Sequence, residues 1–330
     1  MEIIFYFFLF ILSFLTTAIF IKYWIIVAKK NKLTGRDMNK NSKNEVAESG
    51  GIGVIFGIIF AIQLYIFFEK FIIGIQDSLI ECLTILSCIL MAGLLGFIDD
   101  TLGWKRGLKQ WQKPLLTIPV AVPLMVINAG VSSVSIPFFG AVDFGIFFPL
   151  LIIPLAVIFS ANSFNMLAGY NGLEAGMGVI ILSTLGLVAY ISGVIWLAVL
   201  IFSSVFSLIA FLFSNWYPAR VFPGNSFTYA IGSLIAIFAI LGDMEKVALI
   251  LLIPYLITFF LKSRSRFRAE SFARVNRDGS LSVPYKKFYD VTHLSLFALS
   301  KIKKKVYEKD VVIFILFIEI LIALFALLTL

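Results

Sequence analysis

Ten apolar runs leave this 330-residue chain little choice of fold. They lie near 3–28, 51–68, 82–98, 114–130, 145–160, 173–191, 194–214, 227–242, 246–261 and 311–330. Each approaches the roughly 17 to 25 residues that an α-helix needs to cross a bilayer. Only 14% of the residues are charged, against about 25% in an ordinary soluble domain. The chain therefore reads as an all-α polytopic membrane protein with about ten transmembrane helices, one domain over 1–330. Within 173–214 and within 227–261 the connections are very short, so those pairs of helices are the closest to merging. The first run ends in Lys29-Lys30 and lacks a small-residue cleavage site, which marks an anchored helix and not a cleaved signal peptide.

Orientation follows from the cations. Six lysines and arginines fall in 29–50, four in 99–113, one in 215–226 and thirteen in 262–310, which is 24 of the 27 in the chain. All these connections share one side in a ten-helix count, and the opposite connections hold only Lys70 and Lys246. By the positive-inside rule the basic side is cytoplasmic and both termini face outward. The net charge of +8 is thereby explained by topology, and no nucleic-acid partner is expected.

Outside the spans two short hairpins are expected. One lies at 131–144, where Val-Ser-Ser-Val-Ser-Ile alternates ahead of Pro137 and Gly140. The other lies in the basic 262–310 insert, around the turn Arg277-Asp278-Gly279-Ser280. A basic, partly amphipathic helix over about 286–309 should then follow, held by anionic headgroups of membrane lipids. Cys82 and Cys88 share one apolar segment, which points to packing. His293 is the single histidine, which excludes a His-based metal cluster.

Four polar clusters fall on the basic side. The first is Asp37-Met38-Asn39-Lys40 with Glu48-Ser49-Gly50-Gly51, and the second is Gly96-Phe97-Ile98-Asp99-Asp100. The third is Asn162 to Gly176, with three asparagines, a glutamate and three glycines between two apolar runs. The fourth joins Arg220-Val221-Phe222-Pro223-Gly224-Asn225-Ser226 to Arg264, Arg266, Arg268 and Arg274. Polar backbone at membrane depth survives only where protein buries it or a wet cavity accepts it. Taken singly, an Asp-Asp pair at a helix end is also a cap or a solvated acid, and arginines beside a membrane also serve topology. Together, acids, amides and arginines around glycine-rich turns suit a magnesium-bound polyphosphate. Mg²⁺ takes a few carboxylate or amide oxygens plus phosphate and water, and arginine neutralises a diphosphate.

These four blocks, in this order and spacing, resemble the polyprenyl-phosphate N-acetylhexosamine-1-phosphate transferases over nearly the whole chain. Ala168, which is aspartate in the bacterial cell-wall branch, and Arg266-Phe267-Arg268 in the last loop make it more similar to the eukaryotic and archaeal branch. That branch comprises the UDP-N-acetylglucosamine–dolichyl-phosphate N-acetylglucosaminephosphotransferases. The resemblance implies transfer of GlcNAc-1-phosphate from UDP-GlcNAc to a polyprenyl (dolichyl) phosphate, with release of UMP. It implies Mg²⁺, or Mn²⁺ in its place, held by Asn165 and Asn225. Asp99, Asp100 and Lys113 take the catalytic positions. Arg266 and Arg268 take the diphosphate, while Glu48, Gly169, Asn171 and Phe222 take substrate, the last by stacking on uracil. Asn225 departs from the family, most of which has aspartate there.

A lipid phosphate is largely a dianion near neutral pH, with a second pKa of about 6, so it can attack the β-phosphorus directly. A covalent intermediate on an aspartate is the other route. Two different readings compete with this one. The same chemistry could act on another UDP-N-acetylhexosamine, or the chain could be a lipid-sugar transporter. A transporter usually shows repeated halves with sites at mid-membrane, and neither is visible here. The expected setting is an archaeal plasma membrane, or an endoplasmic reticulum in a eukaryote, with the site facing the cytoplasm and a homodimer as one assembly open to it.

Overall fold

A computed structural model of the chain describes residues 2–41, 45–74, 77–102, 108–136 and 140–330. Lys43, Lys105, Arg106 and Pro137, which enter the charge count and the first hairpin, lie outside the described residues. In chain order, α1 (Glu2–Lys30) leads through the hairpin β1 (Thr34–Arg36) and β2 (Glu45–Ala47) into α2 (Gly51–Phe68). Then come α3 (Leu79–Thr101), α4 (Gln112–Val126), the hairpin β3 (Ser133–Ile136) and β4 (Gly140–Asp143), and α5 (Ile153–Met166). The helices α6 (Leu173–Ile191), α7 (Ile195–Asn215), α8 (Gly224–Leu241), α9 (Glu245–Leu251) and α10 (Ile253–Ser263) follow. The insert carries β5 (Arg274–Val275), β6 (Leu281–Ser282) and α11 (Val291–Ser300), and α12 (Glu308–Leu327) ends the chain.

All ten apolar runs are helical, and the structure is all-α apart from three antiparallel two-stranded hairpins. Among the described residues eight helices are long and apolar enough to cross a membrane. A ninth span is the pair α9 and α10, bent by 55°. The bend falls at Leu252, just before Pro254 in the first turn of α10, where proline has no N–H to continue the ladder. The run expected at 114–130 is a helix of only 15 residues, interrupted by Pro119 and Pro123. The break between α6 and α7 falls at Ser192–Val194, as the short connection suggested.

The core is built around α8, 83% of whose residues are buried, against 17% of those in the most apolar stretch of α1 and 33% in that of α12. With lipid outside, helices gain little from the hydrophobic effect and associate through close packing and interhelical hydrogen bonds. Ser13 of α1 donates to the Ser203 carbonyl of α7 at 2.7 Å, and Ser160 of α5 donates to the Gly232 carbonyl of α8 at 2.6 Å. Gly96 lets α3 touch the start of α8: a β-carbon there would run into the backbone of Asn225 and Ser226. Gly51 does the same for α2 against Phe227. Gly96→Ala should therefore overpack this junction by about 1–3 kcal/mol, read as a lower thermal midpoint of the detergent-solubilised protein. An unchanged midpoint would mean that α3 and α8 are not in this contact.

Both expected hairpins form, and Gly279 of the Asp-Gly turn has a φ of +78°. The helix expected over 286–309 is a correction: it covers only Val291–Ser300. Asp290 caps it, accepting from the Thr292 amide at 3.0 Å, and the following Lys301 to Lys305 run leaves it. The hairpin of β1 and β2 in the first connection was not expected.

Candidate active site

The connections expected on the basic side do meet at one end of the helices. Residues of the first hairpin loop, the ends of α3 and α5, the starts of α4, α6 and α8, and the loop after α10 surround one open cavity of about 660 Å³. The connections expected on the other side meet each other, with the Val131 amide donating to Asp243 at 3.1 Å beside the hairpin of β3 and β4.

Asp99 and Asp100 end α3 in adjacent positions but do different things. Asp99 forms an ion pair with Lys113 at 2.8 Å and accepts from the Leu108 amide at 2.7 Å. Asp100 accepts from the Asn225 amide at 2.6 Å and from the Ser226 amide at 3.2 Å. It caps the free N–H groups of a helix other than its own, where a carboxylate also suits the positive end of the helix dipole. Gly224, one residue earlier, has a φ of +73°, which a side chain rarely adopts. A β-carbon there would also meet the Asp100 carboxylate.

That cap sets Asn225 at the mouth of α8 opposite Asn165, which is near the end of α5. Thr228 links them: its hydroxyl donates to Asn165 Oδ1 at 3.1 Å and lies 3.3 Å from the Asn225 carbonyl. The two asparagines expected to hold a metal are thus neighbours on the cavity wall. Among the described residues no group of three or more His, Cys, Asp or Glu side chains is placed to hold a metal ion. The donors are hard oxygens, few in number. Such a set fits a Mg²⁺ ion that draws its remaining ligands from phosphate and water, and does not fit an all-protein cage.

The loop after α5 is tied down by side chains from distant segments. The Gly169 carbonyl accepts from Asn39 at 3.0 Å, and the Gly169 amide donates to Glu174 at 2.8 Å. The Asn171 side chain donates to Asp37 at 3.0 Å, its backbone amide donates to Glu308 at 2.8 Å, and the Gly172 amide donates to Asn215 at 3.1 Å. Asp37 in turn pairs with Lys40 at 2.6 Å. This satisfies the buried backbone of an irregular segment. It also commits the Asn171 amide group to Asp37, leaving its carbonyl oxygen for other partners.

Of the expected site residues, Glu48, Asp99, Asp100, Lys113 and Asn165 line the cavity. Gly169, Asn171, Phe222, Asn225 and Arg268 line it as well. Arg266 is the exception: it is exposed and not on the cavity wall. After α10 the chain turns through positive φ at Arg266 and Phe267, and that turn presents Phe267 and Arg268 to the cavity in place of Arg266. Burial, and then the nearby Asp100, raise the pKa of Glu48 above the ordinary glutamate value. Glu48 therefore holds its proton to a higher pH than an exposed glutamate would. Lys262, Glu174, Asp37 and Thr228 also line the cavity or support it. Of these, Asp37 and Glu174 stood in the polar blocks, whereas Lys262 and Thr228 carried no local signal.

Helices long and apolar enough to cross a membrane here gather carboxylates, amides and cations around one cavity at one end, the arrangement of a membrane protein with a polar site at its surface. Comparison with known proteins narrows the class. Residues 82–243 match the model of "Glycosyl transferase family 4". A provisionally named UDP-N-acetylglucosamine–dolichyl-phosphate N-acetylglucosaminephosphotransferase of Saccharolobus solfataricus is 39% identical over 293 residues, 86% of this chain and 84% of the relative. A protein of the same provisional name from Sulfolobus acidocaldarius is 36% identical over 96% of this chain and 93% of its own length. The enzyme of that name from Dictyostelium discoideum is 32% identical, covering 69% of this chain and 64% of its own. The chain belongs to glycosyl transferase family 4, and it is a multi-pass membrane transferase of that family.

Proposed function

We propose that the protein transfers GlcNAc-1-phosphate from UDP-GlcNAc to a polyprenyl phosphate of the dolichyl type, opening the assembly of a lipid-linked glycan. The observation that carries this reading is its likeness, nearly end to end, to relatives named for that reaction. In the reaction an oxygen of the lipid phosphate bonds to the β-phosphorus of UDP-GlcNAc. The bond from that phosphorus to the bridging oxygen breaks, and UMP leaves with the electron pair.

Asn165 and Asn225 would hold Mg²⁺, which when bound supplies charge neutralisation to the diphosphate. Lys113 and Arg268 bring fixed positive charge to the same cavity, and Phe222 offers a ring to the base. Both aspartates already have partners: Asp99 has Lys113 and a backbone amide, and Asp100 has two backbone amides. That supports direct attack by the lipid phosphate over a covalent aspartyl intermediate. Alignment and charge neutralisation would then supply most of the rate. The cation distribution supports a cavity that opens to the cytoplasm, and the archaeal relatives support a plasma membrane.

The test of substrate choice is competition. Membranes containing the protein would be given labelled UDP-GlcNAc with dolichyl phosphate and unlabelled UDP-hexosamines, and the lipid product followed. UDP-GlcNAc should be used in preference, and a chelator should abolish the product. Preference for another UDP-N-acetylhexosamine would keep the chemistry and change the sugar. Product formed in excess chelator would remove the metal from the account.

A further inference from the structure

Lys262 ends α10 on the cavity wall, yet all of its donors are directed at protein. Its ammonium donates to the Met166 carbonyl at 2.7 Å and to the Ser271 hydroxyl at 2.7 Å, and it pairs with Asp290 at 3.2 Å. An ammonium has three N–H donors, so none is left for a substrate phosphate. The pair is enclosed, with side-chain exposures of 12% for Lys262 and none for Asp290.

The partners join two parts of the molecule. Met166 is the last residue of α5, where helix carbonyls lack partners and the dipole favours a cation. Ser271 and Asp290 belong to the insert and are tied to each other at 2.7 Å. Thr292 completes the knot: its amide donates to Asp290 and its hydroxyl donates to the Ser271 carbonyl at 3.0 Å. Asn165, the residue before Met166, directs its Oδ1 toward Thr228 beside Asn225.

We infer that Lys262 is a positioning residue that clamps the end of α5 to the insert, and thereby holds Asn165 in the geometry that binds the metal. The inference rests on the reading of Asn165 as a ligand under the proposed function. It makes the folded insert, and not the helices alone, a determinant of metal affinity. Groups that act on a metal through its ligands commonly change affinity by about 10- to 100-fold when removed.

The test uses full-length purified protein with UMP present and Mn²⁺ as the probe, followed by electron paramagnetic resonance, with amide exchange measured alongside. Lys262→Met should weaken Mn²⁺ binding by about 10- to 100-fold and speed exchange across 163–172. Exchange in the far half of α8 should stay as in the native protein. Lys262→Arg, which keeps the charge and donors, should recover most of the loss. Mn²⁺ affinity within about twofold of native in Lys262→Met, or unchanged exchange across 163–172, would overturn the clamp. So would native protein that binds no Mn²⁺ at all. If Lys262→Met does not accumulate, Ser271→Ala carries the same comparison, with a smaller shift in the same direction expected and no shift overturning the inference. A native protein that binds Mn²⁺ but releases no UMP from UDP-GlcNAc would count against the proposed reaction and leave the clamp standing.

Discussion

Asp99→Ala is expected to cost about 1–3 kcal/mol of stability, because it leaves the Leu108 amide and the Lys113 ammonium without the carboxylate that holds them. It should also lower turnover by about 10²- to 10³-fold, because Lys113 loses the carboxylate that positions it, and a displaced preorganised donor costs on that scale. The two effects separate in the double variant Asp99→Ala with Lys113→Met. Removing both members of an ion pair is milder than removing one, so the double variant should recover the part of the stability that the pair supplies. It should remain inactive, because the cation is then gone. Thermal midpoints and UMP release measured on the native protein, Asp99→Ala, Lys113→Met and the double variant check this. A double variant as unstable as Asp99→Ala would show that the 2.8 Å pair is not what the aspartate contributes. An active double variant would remove Lys113 from the reaction.

Asn225→Asp should act in the opposite direction on the metal. An amide oxygen ligates Mg²⁺ without adding charge, whereas a carboxylate at the same place adds one negative charge to the site. Two unit charges a few ångströms apart interact by about 4 kcal/mol at the effective dielectric of a protein surface. Much of that is offset by repulsion from Asp100, whose carboxylate already faces the Asn225 amide. A fall in the half-saturating Mg²⁺ concentration of about tenfold is therefore expected, with the fold unchanged. Turnover that rises with it would mark the asparagine as a weakening residue. Turnover that stays level or falls would mark it as a ligand set for faster release. An unaltered Mg²⁺ requirement would mean that the side chain at 225 does not touch the ion.

What could be read in the chain and what could not divide along the range of the forces involved. Apolar runs declare themselves residue by residue, and although only eight described helices, or nine with the bent pair, are long and apolar enough to cross a membrane, helix was legible in all ten. So was the polar stretch from Asn162, because nothing so polar sits between spans without a cavity or a partner. The Asp-Gly turn at 278–279 announced its hairpin by local backbone preference alone. By contrast, nothing near Asp100 says that it caps α8, 125 residues away. Nothing near Lys262 says that it reaches Met166 in α5. Arg266 and Arg268 look equivalent in sequence, and only the left-handed turn after α10 separates them. The long basic helix expected after the second hairpin starts late, at the Asp290 cap, and ends early, at Ser300, where the lysine-rich run leaves it. Local pattern thus marked the blocks of the site, and tertiary hydrogen bonds decided which atoms face the cavity.

The measurement that bears most directly on the whole account is UMP release by the purified protein from UDP-GlcNAc, with polyprenyl phosphate and Mg²⁺ supplied or withheld separately. The account requires both, with one lipid-linked GlcNAc-1-phosphate formed per UMP and almost none formed by Asn165→Ala. UMP released without lipid phosphate, or undiminished in Asn165→Ala, would contradict it.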